Sequence, residues 1–311
     1  MSEQKSIADR VVWAFIGPKG LRLPWSILLV LMAFGAAAIL SVVLLQASGV
    51  HQQDVSTADL TALGTIKTSL LAVAALIAAT LFMAVIEKRP LDDYYLGGRK
   101  PILRAAQGAG IGLALIALLI GAQVALGVLR FDGFATQGAR ALISGATWAG
   151  AFVLVALLEE MTFRGYLLAR LERSFGFRTA AIVMTVLFSA AHYTNTGESW
   201  LGLTSVVLVG LVFCYAIWKT GSLWWAFGWH AAWDWGETYL FGTADSGVPP
   251  SGSLMRMHPQ GAEWLSGGAT GPEGSVLCFA VLGIAALCVH YLLPKRDLQS
   301  ASKYVPRTSA D

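Results

Sequence analysis

Five ionisable residues stand where a chain this apolar should have few. Glu159 and Glu160 end a run that begins near Ala141 and carries no charge before them. His192 and His230 follow in apolar surroundings, and Asp234 lies four residues after His230, on the same helix face. Burying a carboxylate without a partner costs several kcal/mol, so these groups need compensation or a use. A carboxylate facing an imidazole inside a helix pair is what acid/base work on water requires. Glu160 and Arg164 are also four apart, so the arginine can neutralise the second carboxylate and leave Glu159 free. The competing reading is structural, because a lone intramembrane histidine often only bonds a neighbouring helix and a glutamate at a span's end is often only solvated. Four such residues on three helices favour a functional site.

Helix geometry brings two of them to matching depth. Gly176 marks the tip of a hairpin, with Glu159 17 residues before it and His192 16 residues after it. At ~1.5 Å per residue both sit ~25 Å from the tip on antiparallel helices. The tip carries Arg170, Arg173 and Arg178 and is expected to protrude into the cytoplasm as a basic amphipathic extension.

The elements that must hold these residues are membrane spans. Of 311 residues, 56% are hydrophobic and only 13% charged, against about a quarter charged in soluble domains. The apolar residues come in blocks of about 17 to 26, long enough to cross a ~30 Å hydrocarbon core. The expected fold class is an all-α, polytopic membrane protein of about eight helices. They fall near 24–46, 68–86, 105–129, 141–159, 178–193, 200–218, 223–241 and 275–293, and the fourth continues helically to Arg173. The first is expected to be a retained helix, being too long for the core of a signal peptide.

With both termini cytoplasmic, 18 of the 22 Lys and Arg residues fall in inner segments, as the positive-inside rule requires. The chain divides into residues 1–139 with three spans, a core at 140–241 with spans four to seven, and residues 242–311. The Gly-, Pro- and Ser-rich segment 242–274 is expected to be irregular and outside the membrane. The glycines of span three, Gly108, Gly110, Gly112, Gly121 and Gly127, suit close helix packing. Five tryptophans around His230 (Trp224, Trp225, Trp229, Trp233 and Trp235) divide between interfacial anchors and cavity walls in a way the sequence leaves open. The three cysteines have no CxxC spacing and read as small buried side chains. His51, His258 and His290 receive no role. A net charge of +3 gives no sign of a nucleic-acid partner.

Three motifs in order, Glu159-Glu160-x-x-x-Arg164, Phe188-x-x-x-His192 and His230-x-x-x-Asp234, each fall in a separate expected span. The series resembles that of the CAAX prenyl protease-like family, also called the CPBP intramembrane proteases, over residues 140–240. The resemblance implies a glutamate-dependent endopeptidase acting on a membrane-associated polypeptide. Glu159 with His192 would activate a water in a cavity open to the cytoplasm. His230 and residue 234 would stabilise the oxyanion, and Glu160 and Arg164 would support the site. The prenyl-directed members typically carry Asn where this chain has Asp234, and an ionised Asp cannot donate a hydrogen bond to an oxyanion. Asp234 is left to act protonated, to orient His230, or to ligate a metal.

The absence of HExxH counts against a zinc protease, so a metal-independent mechanism without a cofactor is favoured. A divalent metal such as zinc is the alternative, with Glu159, His192, His230 and Asp234 as its ligands. A non-catalytic relative acting in binding, bacteriocin immunity or self-protection is the second function class. A transporter is the third, disfavoured by the lack of repeats. The expected location is a bacterial plasma (inner) membrane.

Overall fold

Segments that cross lipid must satisfy their backbone N–H and C=O groups internally, and apolar runs without interior proline do so as helices. A computed structural model describes residues 13–17, 20–47 and 61–294. The expectations placed on Lys5, Arg10, Lys19, the loop residues 51–60 and the tail 295–311 lie outside the described residues. The helices are α1 (Leu23–Ala47), α2 (Ala62–Glu87), α3 (Pro101–Ala125), α4 (Gly138–Arg164) and α5 (Tyr166–Phe175). They continue with α6 (Phe177–His192), α7 (Trp200–Thr220), α8 (Trp224–Asp234), the short α9 (Glu263–Ser266) and α10 (Val276–Leu292). Among the described residues, five stretches are long and apolar enough to cross a membrane: Leu23–Leu40, Ala62–Glu87, Pro101–Ala125, Gly138–Phe175 and Trp200–Thr220. The apolar α6 and α10 are shorter. The expected seventh span is the α-helix α8 passing into a π-helical stretch, Trp235–Phe241. The architecture is that of a mostly helical, polytopic membrane protein.

The fourth helix does not run unbroken to Arg173. Gly165 leaves helical geometry at φ −93° and ψ −122°, and a Cβ there would meet the Met161 carbonyl at 2.4 Å. The break lets α5 fold back against α1 and the loop after α2 instead of protruding. One buried carboxylate, Glu87, holds it there. Arg170 Nε lies 3.2 Å and Arg173 Nη1 2.8 Å from its oxygens, and the Tyr94 and Tyr166 hydroxyls donate to it at 3.1 and 2.7 Å. Arg170 also donates to Ser26 Oγ at 2.9 Å and to the Leu21 carbonyl. That anchors the start of α1, where a small ribbon pairs β1 (Ile16–Gly17) with β2 (Gly20–Leu21). Of the three arginines expected to protrude, only Arg178 stays clear of this network.

Segment 242–274 is a structured cap rather than an irregular loop. Its strand β4 (Met255–Pro259) pairs antiparallel with β3 (Leu129–Phe134), from Leu129↔Pro259 to Phe134↔Met255, with a bulge between Phe131 and Gly133. Side chains fasten the cap to the ends of the helices beneath it. Gln123 donates to the Leu265 carbonyl at 3.2 Å, Trp148 to Ser251 at 3.2 Å, and Asn195 to Ser246 at 2.9 Å. Thr270 donates to the Gly197 carbonyl at 3.0 Å.

Of the five glycines expected to pack closely, Gly108 and Gly112 of α3 form a close seam, and the other three do not. A Cβ at Gly108 would meet the Trp225 carbonyl at 2.0 Å, and one at Gly112 the Trp229 carbonyl at 2.4 Å. From α8, a Cβ at Gly228 would meet the Ala105 carbonyl at 1.9 Å. At Gly110, Gly121 and Gly127 an added Cβ would have nothing within 4 Å. The seam fixes α8, and with it His230 and Asp234, against α3 at backbone distance.

Removing one partner of a buried ion pair leaves the other uncompensated, at about 3–5 kcal/mol. Glu87→Ala is therefore expected to lower the unfolding free energy of the detergent-solubilised protein by about that amount. Arg178→Ala is expected to change it by less than about 0.5 kcal/mol.

Candidate active site

The two adjacent glutamates of α4 point different ways because neighbours on a helix are about 100° apart. Glu160 is wholly buried, and its Oε1 accepts from Arg164 Nη1 at 3.1 Å and from His230 Nδ1 at 2.9 Å. The expected Glu160–Arg164 pairing is present and extends to a third residue on another helix. The Arg164 guanidinium lies 4.0 Å over the Phe188 ring, with Phe213 at 5.5 Å and Phe163 at 5.9 Å. Aromatic faces attract a desolvated cation, which suits an arginine with no solvent exposure. Phe188 also meets the His192 ring edge-on at 4.7 Å. The aromatic residue of the second motif thus touches a charged group of the first.

Glu159 keeps 27% of its side chain exposed, and Oε2 has no hydrogen-bond partner. The imidazole in charge contact with it is His230, whose Nε2 is 3.6 Å from Glu159 Oε2 and 3.4 Å from Asp234 Oδ2. Depth along the hairpin would pair Glu159 with His192 instead. Equal depth, however, says nothing of rotation about the helix axes, and α8 packs directly on α4. His192 Nδ1 sits 2.9 Å from the Phe188 carbonyl. A carbonyl can only accept, so Nδ1 carries a proton, and Nε2 is the nitrogen left to meet the cavity.

All four expected catalytic residues, Glu159, His192, His230 and Asp234, line one cavity of about 220 Å³. Phe152, Val155 and Trp229 form part of its apolar wall. Asp245, Ser246, Val248 and Glu273 of the cap complete it, together with Asn195. The cap lies at the end of the bundle that the Lys and Arg distribution places outside. The resemblance implies a cavity open to the cytoplasm, and these two expectations conflict, because cap residues form the cavity's rim. Asp245 and Glu273 carry no sequence signal, since their segment reads as irregular. Glu237 does carry one, as an acid within an apolar span, and sequence reasoning missed it.

The five tryptophans sort clearly. Trp225, Trp229 and Trp233 are buried, while Trp224 and Trp235 donate to the carbonyls of Leu96 and Gly145 at 2.9 and 3.0 Å. Of the four residues set out as a zinc set, His230, Glu159 and Asp234 lie together, and His192 bonds its own helix. Among the described residues, the group with ligand atoms all within 4.8 Å of one another is a different one, Glu237, Asp245 and Glu273. Burial, and next the neighbouring Glu273, raise the Asp245 carboxyl above the usual carboxylate range.

Beside the cavity, burial pushes Glu198 up to about 6 from an ordinary 4.5. The Ser199 N–H opposes the shift, Glu273 adds to it and His192 opposes it. A raised carboxyl favours the folded state while protonated. Its contribution is full below about pH 4.5 and is lost as pH rises through about 6. Glu198→Gln is expected to flatten that stretch of a plot of melting temperature against pH; a fall as steep as in the unmodified protein would contradict this.

A search of the curated proteins returns no match to this chain. Residues 142–236, from the first turns of α4 to just past Asp234, match the family model described as type II CAAX prenyl endopeptidase Rce1-like. The segment that carries Glu159, His192, His230 and Asp234 is therefore the part of the chain that is similar to the Rce1-like peptidases.

Proposed function

We propose that the chain is an intramembrane endopeptidase that cleaves a membrane-associated polypeptide with a glutamate-activated water. The observation that carries this reading is the division of labour between adjacent carboxylates. Glu160 is held on two sides by Arg164 and His230, while Glu159 lines the cavity with 27% of its side chain exposed. A part-exposed carboxylate that shares a cavity with the His192 imidazole can, with it, position a water and take its proton. The resulting hydroxide attacks the peptide carbonyl, and the carbonyl π electrons move to the oxygen as an oxyanion.

His230 is the donor best suited to that oxyanion. Both of its ring nitrogens face carboxylates, and both can donate only when the ring is an imidazolium. Nδ1 is committed to Glu160, whereas Nε2 makes no hydrogen bond shorter than the 3.4 Å charge contact with Asp234. The Nε2 proton can therefore turn to an oxyanion in the cavity. Asp234 acts in this reading by balancing and orienting His230, not by donating. Collapse of the intermediate breaks the C–N bond, and the proton held on Glu159 passes to the leaving amine. Glu160 and Arg164 keep the ring in place. The site works with the residues present, and a polypeptide lying in or on the bilayer is its substrate class.

Losing a positioned general base typically costs 10²–10⁴-fold. Glu159→Gln is expected to lower cleavage by about that factor while the protein still inserts and melts normally. His192→Ala is expected to lower it less. Quantifying termini in membranes of cells carrying each variant would reveal a polypeptide that accumulates uncut. Undiminished cleavage in Glu159→Gln would overturn the mechanism. A Glu159→Gln variant that keeps the cellular phenotype would move the chain to a non-catalytic binding role.

A further inference from the structure

Three carboxylates converge at the junction of the π-helical stretch and the cap, and the proposed chemistry uses none of them. Glu237 is fully buried and neither of its oxygens has a hydrogen-bond partner. Asp245 and Glu273 bring ligand oxygens within 4.8 Å of it and of each other. Their remaining contacts are neutral donors. Thr238 Oγ1 donates to Asp245 at 3.2 Å, while Trp233 Nε1 and Ser246 Oγ donate to Glu273 at 2.9 and 2.8 Å. Among the described residues, no Lys, Arg or His forms a salt bridge with any of the three.

We propose that Glu237, Asp245 and Glu273 form a binding site for a hard divalent cation of calcium size. The ligand set is all oxygen, which favours hard cations and disfavours zinc or copper. Oxygens that all lie within 4.8 Å of one another can share one cation at ~2.3–2.6 Å, and a cage of protein carboxylates suits calcium better than magnesium, which keeps several waters. The protein holds the ligands from three separate stretches of chain. Glu237 comes from the extension of α8, Asp245 from the turn after it, and Glu273 from the short turn ahead of α10. The backbone closes around Glu237 at Gly271, whose φ is +97°, and a Cβ there would be 2.1 Å from the Ala244 carbonyl and 3.3 Å from Glu237 Oε1. A bound cation joins the cap to the helix that carries His230 and Asp234. It also places positive charge at the rim of the cavity, which Asp245 and Glu273 line. The site borders the cavity but takes no part in the proposed protease chemistry, and its test does not require activity.

The full chain, purified in detergent and treated with EDTA, is titrated at pH 7.5 with calcium chloride or magnesium chloride, and its melting temperature is followed. A second readout is terbium luminescence excited through tryptophan, since Trp233 donates to the ligand Glu273. Calcium is expected to raise the melting temperature by about 4 °C or more, and magnesium by less. Terbium is expected to luminesce and be displaced by calcium. Glu237→Gln and Asp245→Asn should lose both responses, and Glu263→Gln, an exposed acid on α9, should keep them. The wild-type titration decides even if a site variant does not fold. A wild-type protein indifferent to calcium and dark with terbium overturns the site and leaves the carboxylates to share protons. A calcium response that survives Glu237→Gln also overturns it.

Discussion

The buried carboxylate of Glu160, set between Arg164 and His230, ties together the helices around the cavity. One oxygen accepts from a guanidinium on its own helix and from an imidazole on α8. An ionised group with no solvent exposure persists only where opposite charge and hydrogen bonds replace water. Arg164 is therefore as necessary to Glu160 as Glu160 is to His230. The aromatic rings around Arg164 carry the same dependence to α6 and α7. Some of the atoms involved, Glu160 Oε2 and Arg164 Nε and Nη2, have no partner among the described residues. Unsatisfied buried groups of this kind are uncommon in ordinary cores, and a site held ready for a reaction is one of the places that keeps them.

The two ends of the bundle are secured by different means. At one end, the Glu87 network binds α5, the start of α1 and the turn after α2 through two arginines and two tyrosines. At the other, the cap is fastened mainly by hydrogen bonds from neutral side chains to backbone carbonyls. The cavity lies under the second, uncharged fastening, and residues from outside the matched segment 142–236 complete its wall. The family resemblance thus accounts for the interior of the site, and the chain's own cap accounts for its rim.

What was legible in the sequence follows from how local each signal is. The i,i+4 spacing of Glu160 and Arg164 predicts their pairing directly. Hydrophobic block length places the long helices, and the motif order brings Glu159, His192, His230 and Asp234 to one cavity. The break at Gly165 is not legible, because a helical glycine costs only about 1 kcal/mol and often leaves the helix intact. The inward turn of Arg170 and Arg173 depends on Glu87, far away in sequence. The partner of Glu159 depends on helix rotation, which a depth count does not contain. The β3–β4 ribbon joins segments more than a hundred residues apart, and the Gly- and Pro-rich stretch around β4 looks like plain loop.

The glycine seam between α3 and α8 bears on which parts of the molecule can move. With the Trp225 and Trp229 carbonyls seated against Gly108 and Gly112, α8 has no room to slide or roll without breaking backbone contact along the whole seam. The helix bearing His230 and Asp234 behaves as a fixed floor. A cavity of about 220 Å³ is small for an extended polypeptide, so admission of one calls for a wall to yield. Thr65 of that wall comes from α2, a helix that carries none of Glu159, His192, His230 and Asp234. Displacement of α2 would admit a chain sideways from the lipid while the helices that bear those four residues stay in place.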